Sequence, residues 1–218
     1  MSRPHQLDRF EFERELWSRG ATLVAGVDEA GRGPLAGPVA AAAVIFPSHW
    51  CERGIDARLR DLNDSKQLTE AQREIFYSFL TSHPEVRCAI ALVDAATIDR
   101  INILQATHRA MNEALAQLQP QPEHVLVDGR PVKSMKLPST AIVKGDSLSY
   151  SIAAASVLAK VTRDRMMLEY HEQFPAYGFA EHKGYGTPQH LAALAQHGPC
   201  PIHRRSFAPL KPGERGLF

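Results

Sequence analysis

The sequence has 218 residues, 44% of them hydrophobic, and a formal net charge of +1, which suits one soluble domain with a sizeable core. Three scattered cysteines, an odd number, suggest no disulfide framework and fit a reducing cytosol. The charged first twenty residues hold no apolar stretch long enough for a signal or a membrane span. We therefore expect a single cytoplasmic domain over residues 1–218, without membrane association.

Strand patterns come first along the chain. Residues 22–29, 39–46 and 86–93 are apolar runs bounded by turn residues, and they predict an antiparallel meander. Two later apolar runs predict further strands, one that ends at Asp128 and one that ends near Lys144.

Helical patterns alternate with these strands. Thr69 and Gln72 form a capping box that predicts a helix toward Leu80. Apolar residues at helical spacing predict a crossover helix over 98–118, and residues 147–174 predict a long helix. The alternation favours an α/β fold, a mixed sheet flanked by helices. Residues 176–188 and the tail after Gly198 look like loops.

Four acids stand where apolar runs end: Asp28 and Glu29, Asp128, and Asp146. If the strands are neighbours, these carboxylates meet at one edge of the sheet, where they repel one another unless cations lie between them. Oxygen ligands of this kind suit Mg²⁺ or Mn²⁺, and the amount of charge suits two divalent ions.

Each acid also has a simpler interpretation. Asp28 and Glu29 could open an ordinary turn, and Asp128 before Gly129 is a common hairpin signal. Asp146 could be the N-cap of the following helix.

The neighbouring pair raises a problem of geometry. Successive side chains of a strand point to opposite faces, so Asp28 and Glu29 cannot both face one metal in a regular strand. We predict that the strand breaks or twists at Glu29, close to Gly31, and that Asp28 is the central ligand.

The chain resembles bacterial ribonuclease HII, the type 2 ribonuclease H, in an opening signature and five further ordered blocks. These blocks are residues 26–39, 63–68, 127–129, 144–146, 151–164 and 183–187. The resemblance implies a ribonuclease H-like core at about 20–175 and a small C-terminal helical part at about 176–218.

The resemblance also implies the reaction. It is the two-metal-ion hydrolysis of RNA in RNA/DNA hybrids, and of the bond 5′ of single ribonucleotides embedded in duplex DNA, which leaves 5′-phosphate and 3′-hydroxyl ends. The family reads the 2′-hydroxyl through the backbone of Gly31, Arg32 and Gly33, while a tyrosine that matches Tyr185 packs against the sugar.

Basic residues are candidates for phosphate contact. Residues 129–218 carry 12 Lys+Arg against 6 Asp+Glu, although a solvated surface explains this excess equally well. Lys66, Lys144 and Lys183 could hold phosphates, or could simply be surface lysines. The predicted long helix has a polar stripe of Ser149, Ser156, Lys160 and Arg163. We interpret Lys160 as part of a packing seam.

Three other functions compete with this one. His197, Cys200 and His203 could belong to a small zinc module, but a fourth ligand is missing. A nonenzymatic nucleic-acid-binding protein leaves the four acids unexplained, whereas a nucleotide phosphohydrolase could use them.

The tail ends in two large apolar residues, Leu217 and Phe218. They could fold back onto the domain, or dock into a pocket of a sliding clamp as a short peptide. We expect the protein itself to be a monomer.

Overall fold

A five-stranded mixed sheet with helices on both faces forms the body of the protein in the computed structural model, which describes residues 8–211. The strands are β1 (Val24–Ala30), β2 (Val39–Ile45), β3 (Arg87–Val93), β4 (His124–Asp128) and β5 (Ser139–Ile142). The helices are α1 (Glu11–Ser18), α2 (Trp50–Arg53), α3 (Glu70–Ser82), α4 (Ala95–Ile101), α5 (Ile103–Gln117), α6 (Gly145–Leu148), α7 (Tyr150–Gln173), α8 (Phe179–His182) and α9 (Pro188–His197). Short 3₁₀ turns occur at Ala57–Leu59 and Pro175–Tyr177.

The strands are ordered β3-β2-β1-β4-β5 across the sheet. β3, β2 and β1 are antiparallel, so the predicted meander is confirmed, whereas β1, β4 and β5 are parallel. Val27 pairs with Val127 in the parallel register. The residues that follow, Asp28 and Asp128, therefore lie side by side on neighbouring strands at the same end of the sheet.

Helices cover both faces of the sheet. Ala40, Ala42 and Val44 of β2 face α7 and α3, while the alternate residues of β2 face α5. A Cβ atom on Gly26 would lie 2.2 Å from the backbone carbon of Ser151, so glycine is needed for α7 to approach β1 this closely. That close contact brings the start of α7 next to the end of β1.

The helix boundaries partly confirm the sequence predictions. The capping box of Thr69 and Gln72 is present at the start of α3. The predicted crossover helix is interrupted at Asn102, whose φ of 66° ends α4 and whose side chain caps α5. The predicted helix over 147–174 begins only at Tyr150, because the preceding residues form the separate turn α6.

The C-terminal part is helical, as the resemblance implied. It contains α8 and α9, so the interpretation of residues 176–188 as loop is wrong for α8. Among residues 8–211, no helix combines the length and the apolar character that crossing a membrane requires.

Candidate active site

Three carboxylates converge at the edge of the sheet. Asp28 from β1, Asp128 from the end of β4 and Asp146 from α6 place one oxygen each within 4.8 Å of one another. Asp28 and Asp146 are 5% and 6% exposed. We call these three residues the acidic cluster.

Local backbone geometry brings Asp128 and Asp146 together. Lys144 adopts a left-handed conformation with φ of 59° and turns the chain into α6. The backbone N–H groups of Gly145 and Asp146 then donate to Asp128 Oδ1 at 2.7 and 3.4 Å. Asp146 lies inside α6 and is not its N-cap, and β4 and β5 are parallel, so Asp128 does not begin a hairpin. Both simpler interpretations are therefore wrong.

A buried acid anchors the helix that follows the acidic cluster. Glu13 of α1 is 1% exposed, and its Oε1 accepts hydrogen bonds from the hydroxyls of Ser149 and Ser151, both at 2.6 Å. Burial raises the pKa of Glu13, while the serine hydrogen bonds oppose that rise. The contact fixes the start of α7 against α1, and no pattern in the sequence separates this glutamate from its surface neighbours.

Glu29 lies beside the acidic cluster and is not one of its members. The strand runs regularly through Glu29, which pairs with Ala41, to Ala30, so the predicted break is wrong. Because side chains alternate, Asp28 lies on the α7 face and Glu29 on the α5 face. The Glu29 carboxylate accepts from Arg32 Nη1 at 3.2 Å, which opposes the rise in the pKa of Glu29 that burial causes.

The acidic cluster has an excess of negative charge. Burial raises the pKa of Asp28 well above its usual range, and repulsion by Glu29 and Asp128 adds to the rise. Burial and then Asp128 also raise the pKa of Asp146. Among residues 8–211, neither Asp28 nor Asp128 has an ion-pair partner, and the Lys66 ammonium is 3.9 Å from Asp146 but 79% exposed. Three oxygens with this charge and spacing fit a divalent cation.

A groove of about 290 Å³ runs beside the acidic cluster. Its lining is Glu29, Ala30, Gly31, Arg32, Gly33, Ser65, Lys66, Ser156, Lys160, Arg163 and Tyr185. The structure therefore brings together Gly31 to Gly33, Lys66 and Tyr185, which are distant in sequence.

Tyr185 reaches residues 31–38, which we call the glycine-rich loop, because a hydrogen bond joins this loop to the loop that carries Tyr185. The Leu35 N–H donates to the Gly184 carbonyl at 2.8 Å. The Tyr185 side chain is 47% exposed, and its Cε1 lies 3.7 Å from the position of a Cβ on Gly33. An exposed aromatic ring beside an exposed glycine backbone offers a surface for a flat or sugar-like group.

The other lysines differ in position. Lys144 is exposed and lies outside the groove. Lys183 is directed away from the groove, because its ammonium donates to the Ala180 carbonyl and it lines a separate small depression beside Arg165. Lys160 is not confined to a packing seam, since it lines the groove while it pairs with Asp164 at 2.8 Å.

A second, larger cavity of about 780 Å³ adjoins the acidic cluster on the α5 side. Glu29, Arg32 and Asp128 line it, together with Arg130 and Lys133 from the loop after β4. These two basic residues were not singled out in the sequence, where only the basic excess of residues 129–218 indicated them.

The zinc interpretation finds no support among residues 8–211, where the acidic cluster is the only metal-like group. His203 Nε2 contacts His190 Nε2 at 2.9 Å, and Cys200 N–H donates to His203 Nδ1 at 3.0 Å. Both His203 nitrogens are thus used in hydrogen bonds, and His197 packs near the Tyr177 ring instead.

Comparison with known proteins agrees with this geometry. The family model for Ribonuclease HII matches residues 25–210. Ribonuclease HII of Geobacter metallireducens is 53% identical over 210 residues, which cover 91% of this chain and 93% of the relative.

Solved structures show the same fold. The ribonuclease H2 from Pyrococcus horikoshii OT3 has a TM-score of 0.70 and 30% identity, covering 86% of this chain and 95% of that chain. The RNase HII in the PCNA:RNase HII complex from Archaeoglobus fulgidus has a TM-score of 0.66 and 27% identity, covering 84% and 93%.

Proposed function

Because this chain belongs to the ribonuclease HII family and is an endonuclease of the ribonuclease H type, we propose a finer function for it. It cleaves the RNA strand of RNA/DNA hybrids, and it also cleaves on the 5′ side of single ribonucleotides embedded in duplex DNA. The products carry 5′-phosphate and 3′-hydroxyl ends. The catalytic domain consists of the core at about 20–175 and the extension at about 176–218, which supplies Tyr185.

One observation supports this proposal above the others: the groove that contains Gly31 to Gly33 and Tyr185 is also lined by Lys66, whose ammonium lies 3.9 Å from Asp146 of the acidic cluster. A ribonucleotide in that groove would present its 2′-hydroxyl to the glycine backbone and its sugar to the Tyr185 ring. Its phosphate would then lie toward the carboxylates. A nucleotide phosphohydrolase has no need of such a sugar-reading surface.

Asp28, Asp128 and Asp146 would hold Mg²⁺ or Mn²⁺, two ions per site in this proposal, with Glu29 contributing from the opposite face of β1. The chemistry that such ions supply when bound is an acidified water and charge stabilisation for the leaving 3′ oxygen. The Gly145 N–H holds the Asp128 carboxylate in place, and the Lys66 ammonium, which is exposed beside Asp146, could contact a phosphate.

The experiment that tests the substrate uses a duplex with one ribonucleotide and its all-DNA twin, each incubated with Mg²⁺ and with Mn²⁺. Cleavage on the 5′ side of the ribonucleotide is expected, with a product one nucleotide different from that of alkaline hydrolysis, which cuts on the 3′ side. A protein that cuts long hybrids and leaves the single ribonucleotide intact would contradict the proposal.

Isothermal titration with Mg²⁺ and with Mn²⁺ gives the number of ions bound. A single binding site would contradict the two-ion arrangement.

The proposed partner besides nucleic acid is a sliding clamp. The archaeal relative described above was solved as a complex with PCNA, and the apolar Leu217 and Phe218 at the tail suit a pocket on such a partner. Both residues lie outside the part of the chain that the structure describes. Deleting them should abolish clamp binding in a pull-down and leave cleavage of short duplexes unchanged. Unaltered clamp binding, or a lower melting temperature of the deletion variant, would contradict a docking role.

We propose that the protein is a monomer, and light scattering tests its oligomeric state.

A further inference from the structure

Two arginines are fully buried beneath the glycine-rich loop. Arg163 of α7 is 1% exposed, and Arg204, in the segment after α9, is 0% exposed. Buried guanidinium groups are rare unless a carboxylate pairs with them. Among residues 8–211, neither arginine has such an ion-pair partner, and the two repel each other.

Backbone carbonyls of residues 31–38 take the place of the missing carboxylates. Arg204 donates to the carbonyls of Gly31 (2.6 Å), Arg32 (3.0 Å), Gly37 (3.0 Å) and Pro38 (3.1 Å). Arg163 donates to those of Pro38 (3.0 Å) and Ala36 (3.1 Å). Charged donors make stronger hydrogen bonds than neutral ones, so the two arginines fix the direction of these peptide groups.

That direction determines where the N–H groups point. In a trans peptide the C=O and the next N–H point in opposite directions. Because the carbonyls of Gly31 and Arg32 turn inward to Arg204, the N–H groups of Arg32 and Gly33 turn outward. Both residues are exposed, and within residues 8–211 neither N–H has an intramolecular acceptor. Two aligned donors next to Tyr185 therefore face the groove.

We propose that Arg204, supported by Arg163, is a positioning residue that presents the Arg32 and Gly33 N–H groups to the 2′-hydroxyl of the ribonucleotide. The inference rests on the proposed function. Arg204 does not touch the substrate; it acts through the carbonyls that it holds. Burial and then Arg163 lower the pKa of Arg204 to about 9, so the guanidinium remains charged at neutral pH.

The test measures binding of a duplex with one ribonucleotide and of its all-DNA twin, in an Asp128→Asn background that prevents cleavage. Arg204→Met should reduce the preference for the ribonucleotide by about tenfold, the worth of one or two hydrogen bonds, and leave affinity for the all-DNA twin unchanged. Arg204→Lys, which keeps the charge and some donors, should restore part of the preference. Arg205→Met is the matched control: it removes the same charge from the adjacent, exposed position and should have no effect.

The outcomes separate this inference from the proposed function. If the Asp128→Asn parent itself shows no preference for the ribonucleotide, both fail. If the parent shows the preference and Arg204→Met keeps it, the positioning role alone is overturned. If melting curves show that neither Arg204 variant folds, the inference is tested on the protein with Arg204 intact. The NMR signal of the Arg204 guanidinium should then shift more on addition of the ribonucleotide duplex than on addition of the all-DNA twin. Equal shifts would overturn the inference.

Discussion

Replacement of one carboxylate in the acidic cluster should separate activity from stability. In Asp28→Asn, the amide oxygen can still accept the Glu29 N–H that Asp28 Oδ1 accepts at 2.7 Å, so the fold should be kept. Under the proposed function the variant loses a charged metal ligand, and since changes around metal ligands alone cost about 10–100-fold, cleavage should fall by more than about 100-fold. The metal-free variant should nevertheless be more stable than the metal-free parent.

The size of that gain follows from the spacing of the carboxylates. At 4.8 Å and an effective dielectric constant of about 20, two like charges repel by about 3.5 kcal/mol. Asp28 has two such neighbours, but the folded protein can take up a proton, which removes part of the repulsion. The destabilisation is then limited by the rise in pKa, at about 1.4 kcal/mol for each pKa unit. We expect the free energy of unfolding to rise by about 1–3 kcal/mol at neutral pH without metal.

The gain should depend on pH in a defined direction. The pKa of Asp28 is raised in the folded state, so the folded protein binds this proton more tightly than the unfolded chain does. The parent therefore has its full stability below the ordinary aspartate pKa of about 4 and loses stability as pH rises toward the folded value. The difference between Asp28→Asn and the parent should be small at pH 4 and should grow toward neutral pH.

Urea unfolding in EDTA at several pH values measures this difference, and repetition with Mg²⁺ measures the stabilisation by metal. Mg²⁺ should stabilise the parent more than it stabilises Asp28→Asn or Asp128→Asn. Asp61→Asn, at an exposed position that is not part of the acidic cluster, is the control and should match the parent. The reasoning is refuted if Asp28→Asn shows no gain at any pH, or if it retains full cleavage at saturating Mg²⁺.

Three further changes test the surroundings of the acidic cluster. Tyr185→Ala should weaken cleavage at single ribonucleotides more than on long hybrids, by the roughly 1–3 kcal/mol of an aromatic contact, and equal losses in kcat/KM on both substrates would contradict a role in reading the sugar. Gly31→Ala should lower both the melting temperature and ribonucleotide binding, because its Cβ would lie 2.0 Å from Arg163 Nε. Gly54→Ala is the control: Gly54 has a similar positive φ but open space around it, so this variant should lower only the melting temperature, and only slightly. Glu13→Ala leaves two buried serine hydroxyls without their acceptor and should cost about 1–3 kcal/mol in urea unfolding, and an unchanged midpoint would show that Glu13 does not hold α7 in place.

The sequence was most informative where local chemistry decides the structure. Apolar runs of strand length predicted the meander, and the acids at their ends predicted the edge where Asp28, Asp128 and Asp146 meet. The three carboxylates do meet, because a buried carboxylate is unfavourable unless it is paired or bound to a cation, and acids that close apolar runs are therefore unusual. Their role as metal ligands stays a prediction. The expected break at Glu29 is wrong, because the strand pairs regularly through Glu29, whose side chain lies on the face opposite to Asp28 and accepts from Arg32.

The features that the sequence does not predict depend on contacts that form only in the folded chain. Arg204 looks like one more basic residue in a loop-like tail, and only the folded chain brings it under residues 31–38. The orientation of Asp146 depends on the left-handed backbone of Lys144, and lysine is not a residue that predicts this conformation. Lys183 is a candidate for phosphate contact in the sequence, but its ammonium donates to the Ala180 carbonyl instead.

The position of Arg204 near the end of the chain has a consequence for biosynthesis. The segments that carry Asp28, Asp128 and Asp146 leave the ribosome before the segment from Cys200 to Ser206, and domains begin to fold from their N-terminal parts during synthesis. The carboxylates can therefore assemble on the sheet while the peptide groups of residues 31–38 still lack the guanidinium that orients them. Under the proposed function, a nascent chain would hold the carboxylates before the loop that reads the sugar is oriented, so it would acquire selectivity for the ribonucleotide after the capacity for hydrolysis.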